Sequence, residues 1–273
     1  MGHVLRIRKD MHIAFRIIKV NIRARMENPG DFLLGILLGI VWQASVLVFA
    51  TVLLTRFPGL GGWTKGQVLL IASTRLLSHG FYVSIFMNVF MLPRIVQEGR
   101  IDGYLLRPMP VYRQVLLSRF NMNAIGDLFV ACVLFALSLS STGVHWTFVH
   151  ISYITLAIIS GTFMEAAIQT VVCSFALRTN MMAPWASWID DLMATFGNYP
   201  LRILPAPARI ALTFVLPVAF VSYLPAAAVT GHVDGTGLPA WIVVGSPLVG
   251  LSAFAVSQWV WRCNLRAYGG VGG

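Results

Sequence analysis

Between Phe32 and Thr55 the chain runs 24 residues without a charged side chain. A helix rising 1.5 Å per residue needs about 20 apolar residues to cross a hydrocarbon layer about 30 Å thick, so this run is long enough to span one. Comparable runs lie at 67–92, 120–140 and 149–177, and each holds a single Asp, Glu, Lys or Arg: Arg75, Asp127 and Glu165 respectively. Lipid is therefore the solvent for most of the chain. The composition agrees: 57% of the 273 residues are hydrophobic and 11% are charged, against roughly 25% charged in an ordinary soluble domain. No large extramembrane domain fits. Within lipid each backbone polar group must be satisfied inside its own segment, which makes the expected fold class an all-α integral membrane protein.

The segment from Arg178 to His232 is harder to read, because Pro184, Pro200, Pro205, Pro207, Pro217 and Pro225 interrupt it. In one reading 181–199 crosses, and 200–231 forms short re-entrant helices before a last crossing at 241–261. In the other, Ala208 to Thr230 is the crossing and 181–205 lies along the cytoplasmic interface. Both give six crossings with both ends on one side. The second places Arg202, Arg209 and the Asp190-Asp191 pair at lower cost. The first explains the prolines, since broken backbone at membrane depth occurs where protein or a water-filled cavity satisfies it.

Sidedness follows from the basic residues. Fifteen of the twenty Lys and Arg lie in residues 1–30, in the loop 93–119, at Arg178, and at Arg262 and Arg266. Loops rich in Lys and Arg stay in the cytoplasm, so both termini are expected there. The net charge of +10 thus describes topology, and no nucleic-acid partner is expected. Cys132, Cys173 and Cys263 are far apart and lack CxxC spacing; they read as small hydrophobes, and no metal site is expected.

Residues 1–30 form a distinct cytoplasmic element. Met11, Phe15, Ile18 and Ile22 share one helical stripe, with His12, Arg16, Lys19 and Arg23 beside it. Adjoining apolar and basic stripes suit a helix lying among anionic lipid headgroups, with partner contact as the alternative. Gly35 and Gly39 make a GxxxG match in the first crossing, where small residues admit a second helix, of the same chain or of another. Ionisable residues at membrane depth are Arg75, Asp127, Glu165, Asp190 and Asp191. Each is costly in lipid and should face the bundle interior, as a structural pair or along a substrate path.

The most informative stretch is Glu98-Gly99-Arg100-Ile101-Asp102-Gly103-Tyr104-Leu105-Leu106-Arg107-Pro108-Met109-Pro110. In a chain with few polar segments, charges of both signs sit here among two glycines and two prolines. Such a pattern favours docking to a specific partner, because complementary charges fix register. A solvated loop that merely satisfies charge asymmetry is the plainer reading.

This loop, the six-crossing plan and the later run from Tyr199 to Ala226 resemble the permease subunits of type-2 ATP-binding-cassette exporters. More narrowly, the block from Gly99 to Pro108 resembles a bacterial subfamily with a G-x-(Leu/Ile)-Asp-x-x-Leu-x-Arg-Pro signature, with Ile101 at the second conserved place. The resemblance implies a single six-helix domain over 31–273, a coupling helix in 93–119 and re-entrant helices at 200–231 in the first topology. It implies that Glu98, Gly99, Asp102, Gly103, Leu105, Arg107 and Pro108 make or shape the contact with an ATPase subunit. It also implies a dimeric ATPase as a separate chain, carrying ATP and Mg, and a second permease, identical or homologous.

No G-x-x-x-x-G-K-[ST] phosphate loop is present, and neither HExxH nor GxSxG occurs. The expected role is therefore non-enzymatic: the membrane subunit of an inner-membrane exporter that moves an amphipathic or hydrophobic compound outward. The alternative class is a stand-alone protein, either a proton-coupled carrier using Asp127, Glu165, Asp190 and Asp191 or a membrane scaffold.

Overall fold

The computed structural model describes residues 16–24, 27–56, 62–179 and 183–270. The expectations for Met11, His12 and Phe15 lie outside the described residues, as do residues 181–182 of the fifth expected span. All described regular structure is helical, without a strand among the described residues.

A helix over 16–24, here α1, precedes α2 (Pro29–Arg56), and α3 (Lys65–Ile85) follows. Thr64 caps α3 by accepting from the Gln67 amide while the Gln67 side chain accepts from the Thr64 amide, so two otherwise orphaned donors are satisfied. Beyond Ile85 the expected second span does not continue as α-helix to residue 92. The chain tightens into a 3₁₀ turn at Met87–Met91 and then makes three short helices: α4 (Leu92–Gln97), α5 (Arg100–Leu105) and α6 (Val111–Leu116). The region 93–119 thus holds a chain of short helices, broken at Gly99 and at Pro108–Pro110.

The long helices α7 (Asn123–Ser141) and α8 (Phe148–Ser174) come next. With α3, they are long and apolar enough to cross a membrane, α8 counted with its 3₁₀ extension to Leu177. The bundle is a row in which α2 packs on α7, α7 on α3, α3 on α8, and α8 on α13 (Ser246–Arg266). Glycine sets the closest approaches. An added Cβ on Gly126 of α7 would collide with the Ile36 carbonyl of α2, and one on Gly39 with the Asn123 carbonyl. Gly35 and Gly39 thus lie in a seam within the chain, against α7, with Gly35 facing the Met122 side chain.

The fifth and sixth expected spans differ from the helices observed. Described helix α9 covers Ala183–Phe196 only, about 21 Å at 1.5 Å per residue, and it ends where the Gly197 carbonyl accepts the Ser222 hydroxyl at 2.7 Å. A Cβ added to Gly197 would collide with the Met193 carbonyl, and the Arg75 side chain packs close beside it. The expected span 241–261 is broken at Gly245, between α12 (Ala240–Val244) and α13.

Between them, α10 (Ala206–Ile210) runs into a π-helical turn (Ala211–Val215), and the chain reverses through Leu216–Phe220 into α11 (Tyr223–Thr230). This reversal is deep: the Val221 carbonyl lies against Gly161 in mid-α8, and Val218, Ala219 and Val221 are buried with Met164. Pro217 has no N–H to leave unpaired there.

One end of the bundle gathers the start of α3, the α7–α8 connection and Trp63, which stacks on His232 at 4.5 Å. At the other end α4, α5 and α6 share an apolar cluster with Cys173, Leu177, Ala186 and Trp261. Arg94, Arg100, Arg107 and Arg113 lie at this end, with Arg178, which donates to the Cys263 carbonyl at 3.4 Å.

Candidate functional site

The hairpin made by α4, α5 and α6 is anchored from within and open outward. Ile101 is fully buried beneath it, beside Val96, Val111 and Val115. Gln114 is buried too, and its Nε2 donates to the carbonyls of Tyr104 at 2.8 Å and Met109 at 2.7 Å, closing the loop between α5 and α6. At the base, Asn88 Nδ2 donates to the carbonyls of Leu116 and Arg119, each at 2.7 Å, and Asn121 donates to Val83 in α3. These bonds tie the base of the hairpin to the end of α3 and to the turn that follows it.

Its outer surface holds most of the residues singled out in the sequence. Glu98, Asp102, Gly103, Leu105, Arg107 and Pro108 are exposed, and Gly99 is half-buried. Gly99 lies between α4 and α5 at φ 68°, a left-handed conformation that favours glycine. Glu98 joins the two helices across it, accepting from Arg94 Nε at 2.7 Å and Arg100 Nε at 2.8 Å. The Arg94 hydrogen bond is the largest influence on the Glu98 carboxyl, and with the charges of Arg100 and Arg94 it holds the carboxyl below its usual value despite the opposing effect of desolvation. Asp102 stands beside the hydroxyl of Tyr268, which burial and that carboxylate together push up to about 12. Arg107 folds over the Tyr104 ring, 5.6 Å from its centroid. Leu106, absent from the sequence-derived set, is 88% exposed at the apex.

Helix α1 lies across the hairpin. Asn21 donates to the Leu117 carbonyl at 2.9 Å, and Ile17 and Asn21 line a groove of about 610 Å³ with Arg100, Tyr104, Arg107 and Met109. Arg16, Lys19 and Arg23 remain exposed.

The second site lies inside the bundle. Glu165 of α8, 2% exposed, takes Nδ1 of His79 at 2.8 Å on one oxygen and has Nε of Arg75 at 3.6 Å from the other. Asp190 and Asp127 lie within the electrostatic reach of Arg75 and His79. Asp190 accepts from Gln169 at 3.3 Å, and buried Asp127 stands beside Gln43 of α2. Depth along the helices gives Glu165 and Asp190 as compatible neighbours, yet the direct partners of Glu165 are Arg75 and His79 of α3. Asp191 faces away from this cluster. His79 was not among the sequence candidates; its position one turn after Arg75, at the depth of Glu165, is the signal that could have found it.

These features, a buried ionic cluster in an apolar helical row and a braced polar hairpin at its arginine-rich end, suit a transport protein. The family model described as ABC-2 family transporter protein matches residues 40–272. The chain belongs to this family. An ABC-2 permease is the membrane component of its transporter, is not itself the catalyst, and typically pairs with an ATPase subunit. The match covers α3 through α13 and begins inside α2, so it includes both the hairpin and the ionic cluster of this ABC-2 permease. Comparison with curated proteins and with solved structures finds no match.

Proposed function

We propose that this ABC-2 permease is the membrane subunit of a bacterial exporter, with the α4–α6 hairpin as its contact with the ATPase. The observation that carries this is the hairpin's construction: Leu106 and Arg107 project outward while Ile101 and Gln114 fix the loop beneath them. Arginine is enriched among the residues that dominate binding energy at interfaces, and a rigid support lowers the cost of ordering it on binding. The gathering of Arg94, Arg100, Arg107, Arg113 and Arg178 at this end supports a cytoplasmic position for it, with both termini on that side of the inner membrane.

In this reading the chain crosses six times. The fifth crossing, 181–199, runs through α9, and 200–231 enters the outer leaflet as a re-entrant pair. Two permease chains, identical or homologous, sit on an ATPase dimer that carries ATP and Mg. Closure of that dimer pushes on α5, and the Asn88 and Asn121 hydrogen bonds pass the movement to α3 and α7. Helix α1, tied on through Asn21, moves with them while Arg16, Lys19 and Arg23 rest on anionic headgroups. The cargo is an amphipathic or hydrophobic compound, moved outward by alternating access.

The test is whether an adjacent reading frame encodes a phosphate-loop protein, and whether the permease co-purifies with it. Wild-type permease should assemble with it and stimulate its ATP hydrolysis, whereas Asp102→Ala with Arg107→Glu should lose both. Transport driven by a proton gradient without any ATPase would instead support the stand-alone carrier and overturn the exporter.

A further inference from the structure

Asp190 and Asp191 are adjacent in α9 but face opposite ways. Asp190 turns toward Gln169 of α8, while Asp191 is exposed along a groove of about 470 Å³ between α2 and α9. Trp42, Ser45, Thr195, Asn198 and Tyr199 line the groove with it. That volume lies within the range of small-molecule sites, about 300–1,000 Å³. An ionised carboxylate facing open space on an apolar helix is costly in lipid unless a pathway or ligand uses it.

Several polar groups of the groove present acceptors to it. Ser45 already donates its hydroxyl proton to the Val41 carbonyl at 2.7 Å, and Thr195 to the Asp191 carbonyl at 2.8 Å, so both present lone pairs. Asn198, 1% exposed, spends an Nδ2 proton on the Ala194 carbonyl, and its Oδ1 has no partner. With the Asp191 carboxylate, these make a set of acceptors, and among the described residues no Lys, Arg or His lines the groove.

The walls are aromatic. Trp42 of α2 is 61% exposed beside the groove. Tyr199, just beyond the end of α9, adds a second aromatic ring to the lining. Indole faces attract cations, more strongly where water is excluded.

We infer that the α2–α9 groove binds a lipophilic organic cation, with Asp191 as the counter-ion and Trp42 and Tyr199 as the aromatic surface. The inference rests on the permease reading and names the class of cargo. A cationic drug-like compound and the amine of a phosphatidylethanolamine headgroup share the required chemistry.

The test is equilibrium binding of tetraphenylphosphonium to the full chain with its ATPase, without ATP, in phosphatidylglycerol nanodiscs, corrected for empty discs. Asp191→Asn should weaken binding at least tenfold, Asp191→Glu should restore most of it, and Trp42→Leu should weaken it severalfold. Competition by added phosphatidylethanolamine would assign the site to a lipid headgroup, and its absence to a soluble cation; both outcomes keep the cation site. Wild-type binding by Asp191→Asn, or equal affinity for uncharged triphenylphosphine oxide, would overturn it. Failure of the ATPase to co-purify defeats the exporter reading separately, since binding by the permease alone remains measurable.

Discussion

His79 and Glu165 meet inside the bundle, with imidazole Nδ1 2.8 Å from carboxylate Oε2. They belong to α3 and α8, and Arg75, one turn before His79, takes the other side of the same carboxylate. With Glu165 ionised, the imidazole Nδ1–H is the donor. Together these groups join the two central helices of the row by charge as well as by packing.

Loss of Glu165 should be among the most damaging single changes. Glu165→Leu leaves the Arg75 guanidinium buried without its counter-ion, and breaking one side of a buried pair costs about 3–5 kcal/mol. Thermal unfolding in detergent should show a large drop, with partial recovery in Glu165→Leu combined with Arg75→Leu. An unchanged midpoint in the single variant would remove the pair's structural role.

Leu106→Asp should separate docking from folding. The side chain is 88% exposed, so stability should change by no more than about 0.5 kcal/mol. Affinity for the ATPase should fall at least tenfold in a titration of purified subunits. Undiminished affinity would move the contact away from this apex.

Gln114→Leu keeps volume but removes the donors that hold the Tyr104 and Met109 carbonyls. Each such bond contributes about 1 kcal/mol net. Amide exchange over 104–109 should speed up while the exchange of α8 stays unchanged. ATP hydrolysis should persist with weaker coupling to transport.

Gly126→Val tests the seam between α2 and α7. The obstacle to a side chain is the Ile36 backbone, which cannot rotate away. Overpacking of this kind costs about 1–3 kcal/mol. Reduced thermal stability is expected, whereas Gly103→Ala, which meets open space, should leave stability nearly unchanged.

Glu98 gives a pH dependence of known sign. Its folded-state carboxyl lies below the ordinary 4.5, chiefly through the Arg94 hydrogen bond. Its contribution is therefore complete above the ordinary carboxylate value and is lost as the pH falls through the lower folded-state one. Carbon-13 titration of Glu98 should place its midpoint below that of Glu98 in a variant with Arg94→Ala and Arg100→Ala. Coincident midpoints would mean that the two arginines do not hold it.

The long helices were legible because burial in lipid writes itself into consecutive residues: the runs containing Arg75, Asp127 and Glu165 are the cores of α3, α7 and α8. The hairpin was legible as a region because charges are scarce elsewhere. Its three-helix construction was not, because Gln114 and Asn88 act through carbonyls distant in sequence or hidden in turns. Helix α9 was drawn too long for a related reason. Apolar character continues past Phe196, and only the approach of Arg75 and Ser222 to Gly197 shows where the helix stops. Likewise, a single histidine in an apolar run carries no label, so the part played by His79 depends on how α3 is rotated against α8.

The seating of α2 against α7 also imposes an order on synthesis. Gln43, 1% exposed in the finished protein, lies beside Asp127, yet α2 leaves the ribosome before α3, the hairpin and α7 exist. During that interval the amide has none of its final neighbours, and lipid offers it no hydrogen bond. Gln43 therefore reaches the neighbours it has in the bundle only once α7 has been made.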